Sequence, residues 1–448
     1  MTARYIFPVE GPPIPGGYVT IDRGRIAAVG QSFNGTPDLN LGNVAITPGF
    51  VNAHTHLELS EIPAIPDSSR HREGEAPAKP PKEFGSAGAS PSLFKQFATS
   101  RFDDNAKENE IAWLRRVIAQ RRGSGPDDLK NAVARNLESS LVAGTTMLAD
   151  TTTAGLSWDA ISAAPVRAVV FAELIGLKRE RGLQTHSDAW DWISKIGPAE
   201  QVSACARPGL SPHAPYSTSE WLYHRAAASR LPLSTHLAEM PEEIELLETR
   251  QGPLRTFLED LGAWDESWEP IGPRPGDFIR KGELREADWL IAHGTYFEPD
   301  EFWQLRPEAS SHGHRVAVAY CPRTHSRFGH APHPYLAMLE RGIVVCLGTD
   351  SVASTPSLSV LDEARFLHRR DNSNGPLLLT MATLFGAWAL RSETTTGSLK
   401  PGKSADLAVI ALPDRVTEDP HDLIFDSDLP VVGTMFEGEF IRGKWVGN

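Results

Sequence analysis

Two histidines separated by one residue, His54 and His56, close an apolar run in the segment Ile46-Thr-Pro-Gly-Phe-Val-Asn-Ala-His-Thr-His-Leu-Glu-Leu-Ser60. The run from Ile46 to Ala53 reads as a buried strand, broken at its start by Pro48-Gly49. Side chains at i and i+2 of a strand leave on one face, so both imidazoles can reach one metal ion. Neutral imidazole is the commonest protein ligand for zinc and similar ions. Such pairs also arise by chance, and strand-end histidines can instead bond to backbone. The rest of the chain has to decide.

Short apolar runs recur along the chain, each ending in polar residues. They are Thr146–Asp150, Ala168–Ala172, Gly209–His213, Leu233–His236, Trp289–His293, Val316–Cys321 and Ile343–Asp350. With the opening run they make eight, separated by stretches long enough for helices. One such stretch, Asp128–Val142, places Leu129, Val133, Leu137 and Leu141 four apart and stops at Gly144, as an amphipathic helix does. Eight strand–helix units predict an α/β fold, a (β/α)8 TIM barrel, whose chemistry sits at the carboxyl ends of the strands. His54 and His56 fall at that end of strand 1, His213 of strand 4, His236 of strand 5, His293 of strand 6 and Asp350 of strand 8. Several such residues on one rim point to a shared metal site.

Both ends of the chain alternate like strands. Gly17–Asp22 and Arg25–Gly30 flank the turn Arg23-Gly24 as a hairpin, and Gly397–Ile410 and Val432–Val446 are strand-like. This predicts a small β-sandwich built from residues 1–47 and 398–448, with the barrel over 48–397. Residues 61–95 carry six prolines among small and charged residues, which reads as a disordered insertion after strand 1.

The 448 residues carry 44 basic and 57 acidic side chains, net charge -13, which excludes a nucleic-acid footprint. Three cysteines, Cys205, Cys321 and Cys346, without a CxxC pair, fit a reducing compartment rather than a disulfide framework or a cysteine zinc site. No signal peptide and no membrane-length apolar stretch are evident, so a cytoplasmic protein acting on a small molecule is expected. Cys321-Pro-Arg-Thr has no partner cysteine, which excludes the HxE/PCxxC class of zinc deaminases.

The ordered motifs PGFVNAHTH, THLAE, IAHGT, LGTDS and GSLKPGKSADLAVI resemble the amidohydrolase superfamily, in its metal-dependent deaminase and chlorohydrolase branch. The resemblance spans nearly the whole chain outside the insertion. It implies one divalent metal, zinc first with iron or manganese compatible, held by His54, His56, His236 and Asp350. It implies that His293 bonds to the attacking water or the reacting centre, that Glu239 matches the glutamate of HxxE, and that a homodimer is common. Strand 4 lacks the lysine that bridges two metals in binuclear relatives, so a single metal is expected. Such a metal activates water for attack on an amino-bearing ring carbon, and one carboxyl group, Glu239, can move the water's protons to the ring nitrogen and the leaving amine. Asp350 can assist that transfer.

For the substrate, SPHAPYS resembles the strand-4 segment of adenosine- and thioadenosine-type deaminases, which makes His213 a substrate contact. The extension Leu57-Glu-Leu-Ser60 resembles aminodeoxyfutalosine deaminases of menaquinone synthesis, placing Glu58 at the substrate. Arg323, Arg327 and His330, in the loop after strand 7, are then candidates to meet a substrate carboxylate. The expected function is deamination of a 6-aminopurine nucleoside, aminodeoxyfutalosine first. Adenosine, methylthioadenosine, S-adenosylhomocysteine and triazine-type substrates are the alternatives.

Overall fold

A computed structural model of the chain describes residues 1–33, 35–62, 109–196, 205–306 and 313–443. Sixteen strands run in order along them: β1 (Tyr5–Ile6), β2 (Ile14–Pro15), β3 (Gly17–Asp22), β4 (Arg25–Gln31), β5 (Val44–Pro48), β6 (Phe50–Thr55), β7 (Thr145–Thr152), β8 (Arg167–Leu174), β9 (Ala206–Pro212), β10 (Leu233–Leu237), β11 (Trp289–His293), β12 (Val316–Tyr320), β13 (Val344–Leu347), β14 (Leu407–Ala411), β15 (Val431–Phe436) and β16 (Glu439–Arg442). Strands β6 to β13 pair in sequence order as one eight-stranded parallel sheet. Its two edges meet where Thr55 bridges Asp350, so the sheet curls into a nearly closed TIM-like barrel. Strands β7 to β13 lie where their apolar runs place them.

Alternation along the strands separates the two faces. Met147 and Ala149 on β7, Val169 and Phe171 on β8, and Ala317 and Ala319 on β12 share one apolar cluster inside the barrel. Their neighbours Leu148, Ala168 and Val170 pack outward with Val133, Leu137 and Leu141 of a helix. That helix, α2 (Pro126–Val142), follows α1 (Glu110–Gly123) and has the amphipathic face read from its leucine spacing.

The termini build a separate mixed sheet in the order β16-β15-β14-β5-β1-β2. The hairpin β3–β4 packs on it through Val19 and Ile26, against Ile46, Leu407 and Val409, which makes the two layers of the expected sandwich. The proposed insertion at 61–95 lies, after its first two residues, outside the described residues.

The run Ile46–Ala53 is not the single strand expected from its apolar continuity. Strand β5 pairs antiparallel with β14 in the terminal sheet, while β6 opens the barrel. The chain changes sheet at Gly49, whose N–H donates to the Asp406 carbonyl, and Phe50 N–H then donates to the Gly144 carbonyl. A Cβ on Gly49 would stand 2.7 Å from Thr146 Cβ, a contact that side-chain rotation cannot relieve. Gly49→Ala is therefore expected to cost about 1–3 kcal/mol of stability by overpacking. Urea unfolding checks this, and an unchanged midpoint would mean that the strand junction has room to move.

Candidate active site

The carboxyl ends of the barrel strands bring the expected ligands together. Ligand atoms of His54, His56 and Asp350 lie within 4.8 Å of one another, as do those of His54, His236 and His293. His56 Nε2 is 3.2 Å from His236 Nε2 and 4.0 Å from Asp350 Oδ1. His54, His236, His293 and Asp350 are buried.

The donor set fits a divalent cation. His236 Nδ1 lies 3.0 Å from the His213 carbonyl oxygen, the geometry of a donated hydrogen bond, which leaves Nε2 as a bare lone pair. His56 bonds to the Thr151 backbone, which turns its Nε2 to face His236 in the same state. Two lone pairs 3.2 Å apart repel unless a cation lies between them. His54 Nε2 is buried without a hydrogen-bond partner. Burial and the neighbouring imidazoles hold His54 well below the ordinary histidine range, and burial brings His56 to about 3 and His236 to about 4. All three are neutral near pH 7, as metal ligation requires.

Local backbone aims these groups. Asp350 and His293 sit at left-handed φ of 60° and 69°, and Ala238 at 56°. Non-glycine residues rarely adopt this region, and three of them at strand ends mark strain concentrated at a functional rim. Asp350 is held there by its N–H on the His54 carbonyl and by Ser354 Oγ donating to Oδ2 at 2.7 Å. Beside the first two histidines, Thr55 Oγ1 and Leu57 N–H both donate to Asp150 Oδ1 at 2.8 Å.

Glu239 follows β10 and faces β11, with Oε1 3.1 Å from His293 Nε2. Its own N–H donates to Glu243 Oε2 at 2.9 Å, and Ala238 N–H to Glu243 Oε1 at 3.2 Å. Glu243 belongs to the first turn of the helix Pro241–Thr249, whose N-terminus thus fixes the Glu239 backbone. Burial, with the charges of Glu110, Asp350 and Glu243, pushes the Glu239 carboxyl well above the usual carboxylate range. Burial likewise brings Asp350 to about 7. A cation at the ligand cluster pulls both back towards ionisation.

The substrate-side expectations fare differently. His213 stands beside the ligand cluster: Nδ1 is 2.6 Å from Ser217 Oγ, and its ring centroid lies 4.8 Å from that of His236. Glu58 is not open to a ligand. Thr152 Oγ1, Thr153 N–H, Thr153 Oγ1 and Arg121 Nε all donate to its two oxygens, which ties the strand-1 loop to β7 and α1. Arg323 is engaged within the fold. Its fork reaches Glu363 at 2.7 Å and the Ser357 carbonyl at 2.7 Å, which spends it on a structural ion pair. The stretch after strand 7 is a helix, Pro322–Phe328, rather than a loop, and Arg327 lies over the Phe328 ring. His330 places Nε2 3.1 Å from Glu110 Oε2 and Nδ1 3.2 Å from the Tyr296 hydroxyl.

Two acids escaped the sequence reading. Glu173 continues the inward row Val169–Phe171 at the carboxyl end of β8 and stands 3.9 Å from His213 Nε2. That period-two spacing is a signal that could have found it. Burial, then the charge of Glu58, brings its carboxyl to about 8. Glu110 opens α1 and lies against Glu239, and no local pattern marks it.

Comparison with known proteins agrees with this geometry. The amidohydrolase family profile matches residues 45–441, and the chain belongs to that family. It is 25% identical over 98% of its length to a 5-methylthioadenosine/S-adenosylhomocysteine deaminase of Moorella thermoacetica, 91% of which is covered. An aminodeoxyfutalosine deaminase of Deinococcus radiodurans is 30% identical over 45% of the chain and 48% of its own length. Among solved structures, the Helicobacter pylori aminofutalosine deaminase in complex with methylthio-coformycin superposes with a TM-score of 0.74 at 19% identity, covering 98% of this chain and 99% of that one. The chain is thus a metal-dependent hydrolase acting on carbon–nitrogen bonds. Among the described residues no helix is long and apolar enough to cross a membrane.

Proposed function

We propose that the protein is a hydrolytic deaminase of a 6-aminopurine nucleoside, using one divalent metal held by His54, His56, His236 and Asp350. The observation that carries the reading is the Glu239–His293 contact of 3.1 Å beside that ligand cluster. The metal supplies Lewis-acid activation of the attacking water. Glu239 takes a proton from that water and delivers it to the ring nitrogen next to the reacting carbon. His293 donates a hydrogen bond to the incoming oxygen. As the carbon–nitrogen bond breaks, the second water proton passes through Glu239, assisted by Asp350, to the leaving group, which departs as ammonia. Water is consumed, a carbon–oxygen bond replaces the carbon–nitrogen bond, and Glu239 ends as it began.

Support for the nucleoside comes from His213 beside the cluster and from the deaminase relatives. Because Glu363 holds Arg323, the argument for a carboxylate-bearing substrate loses its main residue, so uncharged adenosine-type nucleosides come before aminodeoxyfutalosine. Three unbridged cysteines support work in the cytoplasm. The test is ammonia release and ultraviolet change on zinc-loaded protein, with adenosine, methylthioadenosine, S-adenosylhomocysteine, aminodeoxyfutalosine and an aminotriazine. Turnover of an adenosine-type nucleoside is expected. Preference for aminodeoxyfutalosine would restore a carboxylate receptor, and silence across the panel would sink the nucleoside reading.

A further inference from the structure

The peptide that joins His293 to Gly294 is gripped from both sides. His293 and Gly294 sit at left-handed φ of 69° and 71°, a region that only the glycine adopts freely. The Gly294 N–H donates to the Leu237 carbonyl at 3.0 Å, which ties the peptide to the end of β10. On the other side the His293 carbonyl accepts from His333 Nε2 at 2.7 Å.

His333 lies between the helices Pro322–Phe328 and Tyr335–Glu340 and is buried. Its ring stacks on Tyr320 at the end of β12, with centroids 3.9 Å apart and planes 21° apart. A carbonyl oxygen only accepts, so Nε2 carries the ring hydrogen and Nδ1 is left as a lone pair. Nδ1 is buried without a hydrogen-bond partner, and among the described residues the bond to His293 is the one hydrogen bond this ring makes. A phenyl ring would stack on Tyr320 without bringing a bare polar atom into the interior. What the imidazole adds is its hold on the His293 carbonyl.

We propose that His333 is a positioning residue for His293: its Nε2–H clamps the His293–Gly294 peptide in its left-handed turn, and so keeps the His293 imidazole aimed at the reacting centre. This rests on the reading of His293 as the donor to the incoming oxygen. The strained φ of His293 persists only where its surroundings over-determine it. Without His333 the peptide keeps its Leu237 anchor alone. Its rotation then relaxes the backbone and swings the Cα–Cβ bond that carries the imidazole away from Glu239, which His293 Nε2 meets at 3.1 Å. Misplacement of a catalytic group by about 1 Å costs on the order of 10²-fold in rate.

Three variants of the full, metal-loaded chain test this. His333→Phe keeps a ring on Tyr320 and removes the donor. His333→Gln carries an amide N–H out to the reach of Nε2, whereas the shorter amide of His333→Asn falls short of the carbonyl. The phenylalanine and asparagine variants are expected to lower kcat by about 10- to 100-fold, with KM and metal content near those of the wild type. His333→Gln should recover most of that loss. Unchanged kcat in either of the first two overturns the proposal. So does a loss that glutamine does not repair, one confined to KM, or one that tracks with lost metal. Should His333→Phe fail to fold, the contrast between glutamine and asparagine decides alone. Histidine-ring NMR of the zinc-loaded protein reads the clamp apart from turnover, with the His293 signal identified by its absence in His293→Gln. That signal should move in the phenylalanine and asparagine variants and return in His333→Gln. A signal that stays in place overturns the proposal even in a chain that turns over nothing. A signal that moves and returns in such a chain upholds the clamp and sinks the deaminase reading alone.

Discussion

Glu239→Gln is expected to lower kcat by about 10²- to 10⁴-fold, the range of general acid–base catalysis, while metal content and melting temperature stay at wild-type values. The amide fills the same volume, and its oxygen can still accept from His293. The Glu239 N–H would still donate to Glu243, so the backbone position survives. What an amide cannot do is accept the water's proton and pass it on. The four proposed metal ligands are untouched, because Glu239 contributes to neither ligand cluster. The measurement is steady-state turnover beside metal analysis on one preparation. A variant that keeps kcat within tenfold at full metal occupancy would remove Glu239 as the shuttle and turn attention to Asp350, whose buried carboxyl lies at about 7. A variant that loses its metal would instead show that Glu239 supports the ligand cluster.

How much of this site is legible in the sequence depends on how local each signal is. His54, His56, His236, His293 and Asp350 each end or come just after an apolar run of strand length, so strand period and barrel geometry alone place them on one rim. The register between neighbours, such as His236 level with Ala292, is a pairing property that each strand's pattern already implies. Gly49 marks where this logic stops. Apolar continuity from Ile46 to Ala53 is the same whether the residues lie in one sheet or two, and only the pairing of Val44–Pro48 with β14 separates them.

Side-chain commitments are less legible still. Glu58 looks available beside the histidines, yet its donors come from Arg121, Thr152 and Thr153, more than sixty positions away. Arg323 looks like a carboxylate receptor until Glu363, forty positions on, takes its fork. Glu110 carries the opposite lesson. It stands outside every motif, and only the packing of α1, whose Ile111 shares an apolar cluster with Met240, brings it to Glu239.

The family-like segment GSLKPGKSADLAVI has a use that no pattern reveals, and it carries the largest expected stability effect. Asp406, fully buried, accepts from Arg167 Nε at 2.8 Å, from Ser404 Oγ at 2.7 Å and from Glu437 N–H at 3.0 Å. Arg167 opens β8 of the barrel, whereas Asp406 precedes β14 and Glu437 follows β15 of the terminal sheet, so this one cluster ties the two sheets together. Removing one partner of such a buried pair leaves an uncompensated charge, at a cost of about 3–5 kcal/mol. Glu437 cannot compensate, since its side chain is half exposed and the attraction is screened. Asp406→Asn is therefore expected to lower stability by that amount in urea unfolding. Replacing both partners with apolar residues, Arg167→Met with Asp406→Leu, should recover much of the loss, because neither charge is then desolvated. The proposed metal site lies at the other end of the strands, so the folded single variant should keep its metal. A midpoint equivalent to less than about 1 kcal/mol below wild type would place the pair among weakly contributing surface contacts and leave apolar packing, with bonds such as Thr434 Oγ1 to the Leu141 carbonyl, to hold the terminal sheet on the barrel.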